Sequence, residues 1–142
     1  MSIALEVATR IIDAALAKGR ELNMNPLTAV LVDDGGNMKA MKREDGRGAA
    51  MRPQIAMGKA FAAVGMGRST RALQDMAQQR PWFSASLVSV ADGGYVPVPG
   101  GVLILDSQDN VLGALGVTGD SADNDEIAAV AGIEAAGLKA QV

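Results

Sequence analysis

Neither cysteine nor histidine occurs anywhere in this chain. Their absence excludes disulfides, thiolate nucleophiles, thiolate or imidazole metal sites, and every Ser-His or Cys-His pairing. Acid–base chemistry near neutral pH would need a carboxylate, lysine or tyrosine with a shifted pKa, or else a cofactor. Aromatic residues make up only 3%, with one Trp, one Tyr and two Phe, whereas Met reaches 8. The core is therefore expected to consist of small aliphatic side chains and adaptable thioethers.

Positive charge is also scarce. The formal net charge is −3 and no stretch gathers Lys or Arg, so no nucleic-acid partner is expected. There is no apolar run long enough to span a membrane, roughly 18 residues or more. The N-terminal stretch carries Glu6 and Asp13 at helical spacing instead of a basic start and an apolar signal core. These features predict a cytoplasmic protein with no membrane partner. A length of 142 residues predicts one domain spanning 1–142 that buries roughly 70% of its unfolded surface.

Ile3, Val7, Ile11 and Ala15, with the neighbouring row Ala4, Ala8, Ile12 and Leu16, predict an amphipathic first helix. Leu27 to Val32 and Met38 to Arg43 flank the turn residues Asp34-Gly35-Gly36 and read as a hairpin. A second helix is expected from Ala50 to Val64, with Pro53 in its first turn. A shorter one, capped by Ser69 or Thr70, should run from Arg71 to about Gln79. Val102–Asp106 and Val111–Val117 flank "SQDN" and predict a second hairpin. Gly113 and Gly116 in its return strand mark a bulge or a close backbone approach. A last helix, capped by Ser121 or Asp123, should run to about Lys139. The order, α-β-β-α-α-(β)-β-β-α, lacks the alternation of parallel sheets and predicts an α+β domain with an antiparallel sheet. The stretch from Trp82 to Pro99 carries no clear period; the bracketed strand is placed there.

Several residues could carry chemistry. Arg43 and Asp45 end the first hairpin, where they could pair with each other or bind a ligand. Lys59 stands alone among small and apolar residues; it either snorkels to water or holds a cation beside a pocket. The run "GYVPVPGGVLI" (94–104) is either a stiff loop leading into a strand or a ligand-facing loop. In the second case the N–H groups of Gly100 and Gly101 would meet an anion and Tyr95 would supply a phenol. Trp82 and Phe83 are candidates for an aromatic wall. Asp120, Asp123 and Asp125 precede the last helix without the spacing of a calcium loop, and helix capping accounts for them.

Four separated motifs then combine into a resemblance. They are Val32-Asp33, Gly35-Gly36, Ala40, Arg43 and Asp45-Gly46; Lys59-Ala60; Pro99-Gly100-Gly101-Val102 with Ile104; and Gly113-Ala114, Gly116-Val117 and Gly119, followed by Asp125, Ala129, Ala131 and Gly132. Across nearly its whole length the chain resembles the GlcG/HbpS-like haem-degrading family, which also forms the C-terminal domain of some cobalamin adenosyltransferases. The resemblance implies a profilin-like α-β-α sandwich around a five-stranded antiparallel sheet, assembled as a homo-oligomer. Some members bind or degrade haem, and others sit among genes for glycolate, diol or aromatic catabolism. Arg47, Ala62 and Leu103 depart from the usual family residues.

The reading that follows is a small-molecule-binding protein taking a small carboxylate or an aromatic-catabolism intermediate. Lys59, Tyr95, Pro99, Gly100 and Gly101 would line the pocket, with Arg43, Asp45 and Asp125 nearby. Lys59 and Tyr95 are the candidates for catalysis. The alternatives are a haem protein, with Tyr95 the first choice of iron ligand in a chain without histidine, and a non-catalytic scaffold or sensor.

Overall fold

The computed structural model describes residues 3–142. Its elements are α1 (Leu5–Glu21), β1 (Thr28–Asp33), β2 (Met38–Arg43), α2 (Arg52–Met66), α3 (Thr70–Gln79), α4 (Pro81–Val90), β3 (Gly101–Leu105), β4 (Val111–Thr118), α5 (Ala122–Ala135) and β5 (Lys139–Gln141). The strands form one five-stranded sheet in the order β2-β1-β4-β3-β5, antiparallel at every pairing. The expected α+β class is found, with helices on both faces.

Strand alternation divides the core in two. Ala29, Leu31, Val102, Ile104, Leu115 and Val117 face α1 and α5. Val30, Val32, Leu103, Leu105 and Ala114 face Ala56, Ala60 and Ala63 of α2. Small residues set the spacing of these layers. A Cβ at Gly116 would lie 2.0 Å from the Ala56 carbonyl oxygen, and one at Gly132 would lie 2.6 Å from the Ile11 carbonyl oxygen. Gly116 thus lets α2 settle on β4, and Gly132 lets α5 settle on α1. The other glycine of β4, Gly113, would drive a Cβ to 2.1 Å from the Val32 carbonyl oxygen, beside a register shift between Ile104 and Leu105.

Both hairpins close on one device. Asp33 Oδ1 accepts from the N–H groups of Gly35 and Asn37, and the Asp33 N–H donates to the Asn37 carbonyl. Asp106 Oδ1 accepts from Gln108 and Asn110, and the Asp106 N–H donates to the Asn110 carbonyl. An aspartate followed four residues later by asparagine therefore satisfies each turn with its own side chain. These bonds hold both carboxyls below the ordinary 3.8, Asp33 mainly through the Asn37 N–H and Asp106 mainly through the Asn110 side chain.

Two expectations need correction. The stretch after Trp82 holds no strand; Pro81 starts α4, a helix without a single charged residue and with only Ser84 buried. The last helix stops at Ala135 and not near Lys139, because Gly137 turns the chain at φ 76 and Lys139–Gln141 pairs with β3. Ser69 and Ser121 are the caps, accepting from the Ala72 and Asn124 N–H groups. Among the described residues no helix is long and apolar enough to cross a membrane.

Candidate functional site

The expected site residues fall into three places. Lys59, Gly100, Gly101 and Asp125 meet at a buried junction where α2, the start of β3, the end of β4 and α5 converge. Lys59 and Asp125 are each 2% exposed. The Lys59 ammonium donates to Asp125 Oδ2 at 3.1 Å and to the Val117 carbonyl oxygen at 3.0 Å. Asp125 Oδ1 accepts from the Asp120 N–H at 2.9 Å. The lysine therefore starts on one face of the sheet and ends against a helix on the other.

The paired glycines make that passage possible. A Cβ at Gly100 would lie 2.8 Å from Lys59 Nζ and 2.4 Å from the Val117 carbonyl oxygen, and one at Gly101 would lie 2.5 Å from the Lys59 carbonyl oxygen. The Gly101 N–H donates to Thr70 Oγ1 at 2.7 Å, so it is not turned toward an external anion. Pro99 is buried next to them. Burial is the largest influence on both charged groups: it lowers the Lys59 pKa and raises that of Asp125, while their mutual attraction opposes both shifts. The lysine neither snorkels nor faces an open pocket; its hydrogen bonds are internal.

Arg43 and Asp45 lie elsewhere, at the end of β2. They line a cavity of about 330 Å³ with Glu44, Gly46, Gly48 and Ala49. A neighbouring cavity of about 360 Å³ adds Arg20 and Pro26. Glu44 is engaged, accepting from the Leu27 N–H and pairing with Arg20 at 3.1 Å. Arg43 is exposed and makes no ion pair among the described residues.

Tyr95 defines the third place. With Phe61, Ala62, Gly65, Met66, Leu87, Val90 and Ala91 it lines an apolar groove of about 190 Å³ between α2 and α4. The ring is only 6% exposed, and its hydroxyl is one of two buried side-chain oxygens without a hydrogen bond among the described residues, the other being Thr28 Oγ1. Burial pushes the phenol pKa up, and the Ser84 side chain, a polar group near the hydroxyl, opposes the shift in part. The other aromatic residue lining this groove is Phe61. Trp82 is 70% exposed and contributes no wall, and Phe83 packs under the Arg80 guanidinium, 4.5 Å from its ring centre, at the start of α4.

Phe61, Gly65 and Met66 were not among the residues singled out by sequence. The available signal was their position on α2 opposite Ala56, Ala60 and Ala63, which made one helix apolar on two sides. The acidic cluster before α5 is used internally. Asp120 accepts from the Asn25 N–H and from Asn124 Nδ2, and Asp123 and Glu126 both hold Arg71 of α3.

Comparison with known proteins places this geometry. An uncharacterised 15.0 kDa protein of the dhaT-dhaS intergenic region of Citrobacter freundii is 29% identical over 128 residues, which cover 90% of this chain and 87% of the relative. A double mutant of HbpS from Streptomyces reticuli superposes with a TM-score of 0.82 at 28% identity, covering 95% of this chain and 87% of that one. The haem complex of PduOC shares the fold, with a TM-score of 0.85, 23% identity and full coverage of both chains. The sequence model of the haem-degrading, HbpS-like proteins matches residues 3–134, and the chain belongs to that family.

Proposed function

We propose that the protein binds a flat, apolar small molecule of the haem class in the groove between α2 and α4, with the Tyr95 hydroxyl turned to the ligand. The observation that carries this reading is the Tyr95 hydroxyl itself, buried and without a hydrogen bond of normal geometry among the described residues. Such a group costs stability unless something completes it. Membership of a family described as haem degrading supports the class of ligand.

The donor chemistry fits. In a chain without histidine or cysteine, a tyrosine oxygen is an established type of haem ligand and a methionine thioether is another; Tyr95 and Met66 line the same groove. Haem would supply an iron centre able to take a further ligand. Phe61 and Leu87 would exclude water from one edge of the ring. A groove of about 190 Å³ encloses an edge and not a whole macrocycle, since enclosed ligand sites run to roughly 300 Å³ or more.

Haemin titration followed by absorption tests the reading. Saturable, stoichiometric binding that weakens in Tyr95→Phe is the expected result. Non-saturating binding, or binding indifferent to the substitution, would overturn it.

A second reading, a small carboxylate at Arg43 and Asp45, draws support from the Arg43 guanidinium, which makes no ion pair among the described residues and lines two cavities. Calorimetric titration with small hydroxy and aromatic carboxylates, repeated with Arg43→Ala, checks it; heat unchanged by the substitution counts against it. A carboxylate seated on Lys59 would have to displace Asp125, so that version has less support. Self-association is part of the proposal, supported by Trp82 and Val90 of α4, exposed at 70% and 79%. Light scattering reads it directly, and a monomer at micromolar concentration would remove it.

A further inference from the structure

Glycine inside a helix lowers its stability relative to alanine, and most helical glycines in this fold show what they permit. A Cβ at Gly58 would lie 2.6 Å from Val96 Cγ2, and one at Gly19 would lie 2.6 Å from Leu27 Cδ1. Gly65 is different: a Cβ there would meet no atom within 4 Å. It belongs to the last turn of α2, two residues before the left-handed cap at Gly67, so neither packing nor backbone conformation requires glycine. Yet Gly65 lines the groove that holds Tyr95. Ala62 and Gly65 are three apart and share a helix face; between Phe61 and Met66 they form a low floor.

We infer that Gly65 is a specificity-determining residue of this groove. By omitting a side chain it leaves room for the edge of a wide, flat ring to approach the α2 backbone beside Tyr95. The inference rests on the haem-class reading and deepens it. Two separate observations meet in it: open space where a helix would favour alanine, and a buried phenol without a hydrogen bond. A glycine required by packing would show a clash at its Cβ, as Gly58 and Gly132 do.

The experiment compares wild type, Gly65→Ala and Gly65→Leu in three measurements. These are thermal melting of the ligand-free proteins, haemin titration by absorption, and titration with 1-naphthol, a narrower ring, by its own fluorescence. Gly65→Ala is expected to melt higher than wild type while binding haemin more weakly. Gly65→Leu is expected to weaken haemin about tenfold or more while leaving naphthol within about threefold, the scale on which steric fit discriminates between ligands. Unchanged haemin affinity in Gly65→Leu overturns the inference and leaves the haem reading standing. Equal loss of both ligands, no naphthol binding by wild type, or a lower melting temperature for Gly65→Ala also overturns it. Wild type that fails to bind haemin saturably removes the haem reading itself, and the inference with it.

Discussion

The buried polar side chains make opposite demands on this fold. Lys59 and Asp125 satisfy each other, so removing one leaves the other charged in a nonpolar surrounding. Either Lys59→Met or Asp125→Leu is expected to cost about 3–5 kcal/mol in a denaturant titration, and the double substitution much less than the sum. Additive costs would show that the two do not act as a pair. Tyr95 is the reverse case. Its hydroxyl makes no hydrogen bond of normal geometry among the described residues, so Tyr95→Phe should raise stability by about 1 kcal/mol while weakening haemin. A loss of stability would show that the hydroxyl already has a partner. Tyr95 was a candidate from the sequence, as the sole phenol of its loop, but the Lys59–Asp125 pairing was not legible there. Lys59 and Asp125 lie 66 residues apart, and only the strands that bring α2 and α5 to one end of the sheet reveal the pair.

Among the elements, legibility followed periodicity. The two hairpins combine apolar runs with turn residues, and α1 has a polar and an apolar side, so their patterns announce them. Helix α4 has no charged residue and buries only Ser84; without a polar face it offers no helical period to read. Strand β5 is three residues long, too short for alternation to show. The close contact of α2 with β4 gives a sharper test. Gly116→Ala would place a Cβ 2.0 Å from the Ala56 carbonyl oxygen, and moving the helix away is expected to cost about 3 kcal/mol. A change within experimental error would mean that the layers yield easily. The hairpin turns predict acid behaviour. Asp33 and Asp106 titrate below 3.8 in the fold. The stability they contribute is complete above that value and is lost as pH falls through their lower folded values. Asp33→Asn with Asp106→Asn should flatten the acid limb of a stability profile; an unchanged limb would assign it to other carboxylates.

At the scale of the whole molecule, the sheet separates two helical layers that share few side chains. Lys59 reaches from the α2 layer past the end of β4 to Asp125 on the α1/α5 side, and Arg71 reaches from α3 to Asp123 and Glu126 of α5. These crossings should make the layers unfold together. In Lys59→Met, hydrogen exchange is expected to show the α2 amides losing protection ahead of those in α1, whereas in the wild type both should exchange through one global opening. Equal loss in both helices would place the coupling elsewhere.

The bare backbone at Gly100 also constrains how such a chain can change. The space a Cβ would need there is already held by Lys59 Nζ and by the Val117 carbonyl oxygen. A shorter residue at 59 would relieve only the first of these contacts, because the Val117 carbonyl oxygen would still lie 2.4 Å from that Cβ and Gly100 sits at φ 127. Position 100 is therefore closed to any side chain while β4 keeps its place, whereas 59 and 125 are free to vary as a pair but not singly, so a route to a different pair passes through a poorly folded intermediate unless both changes arrive together.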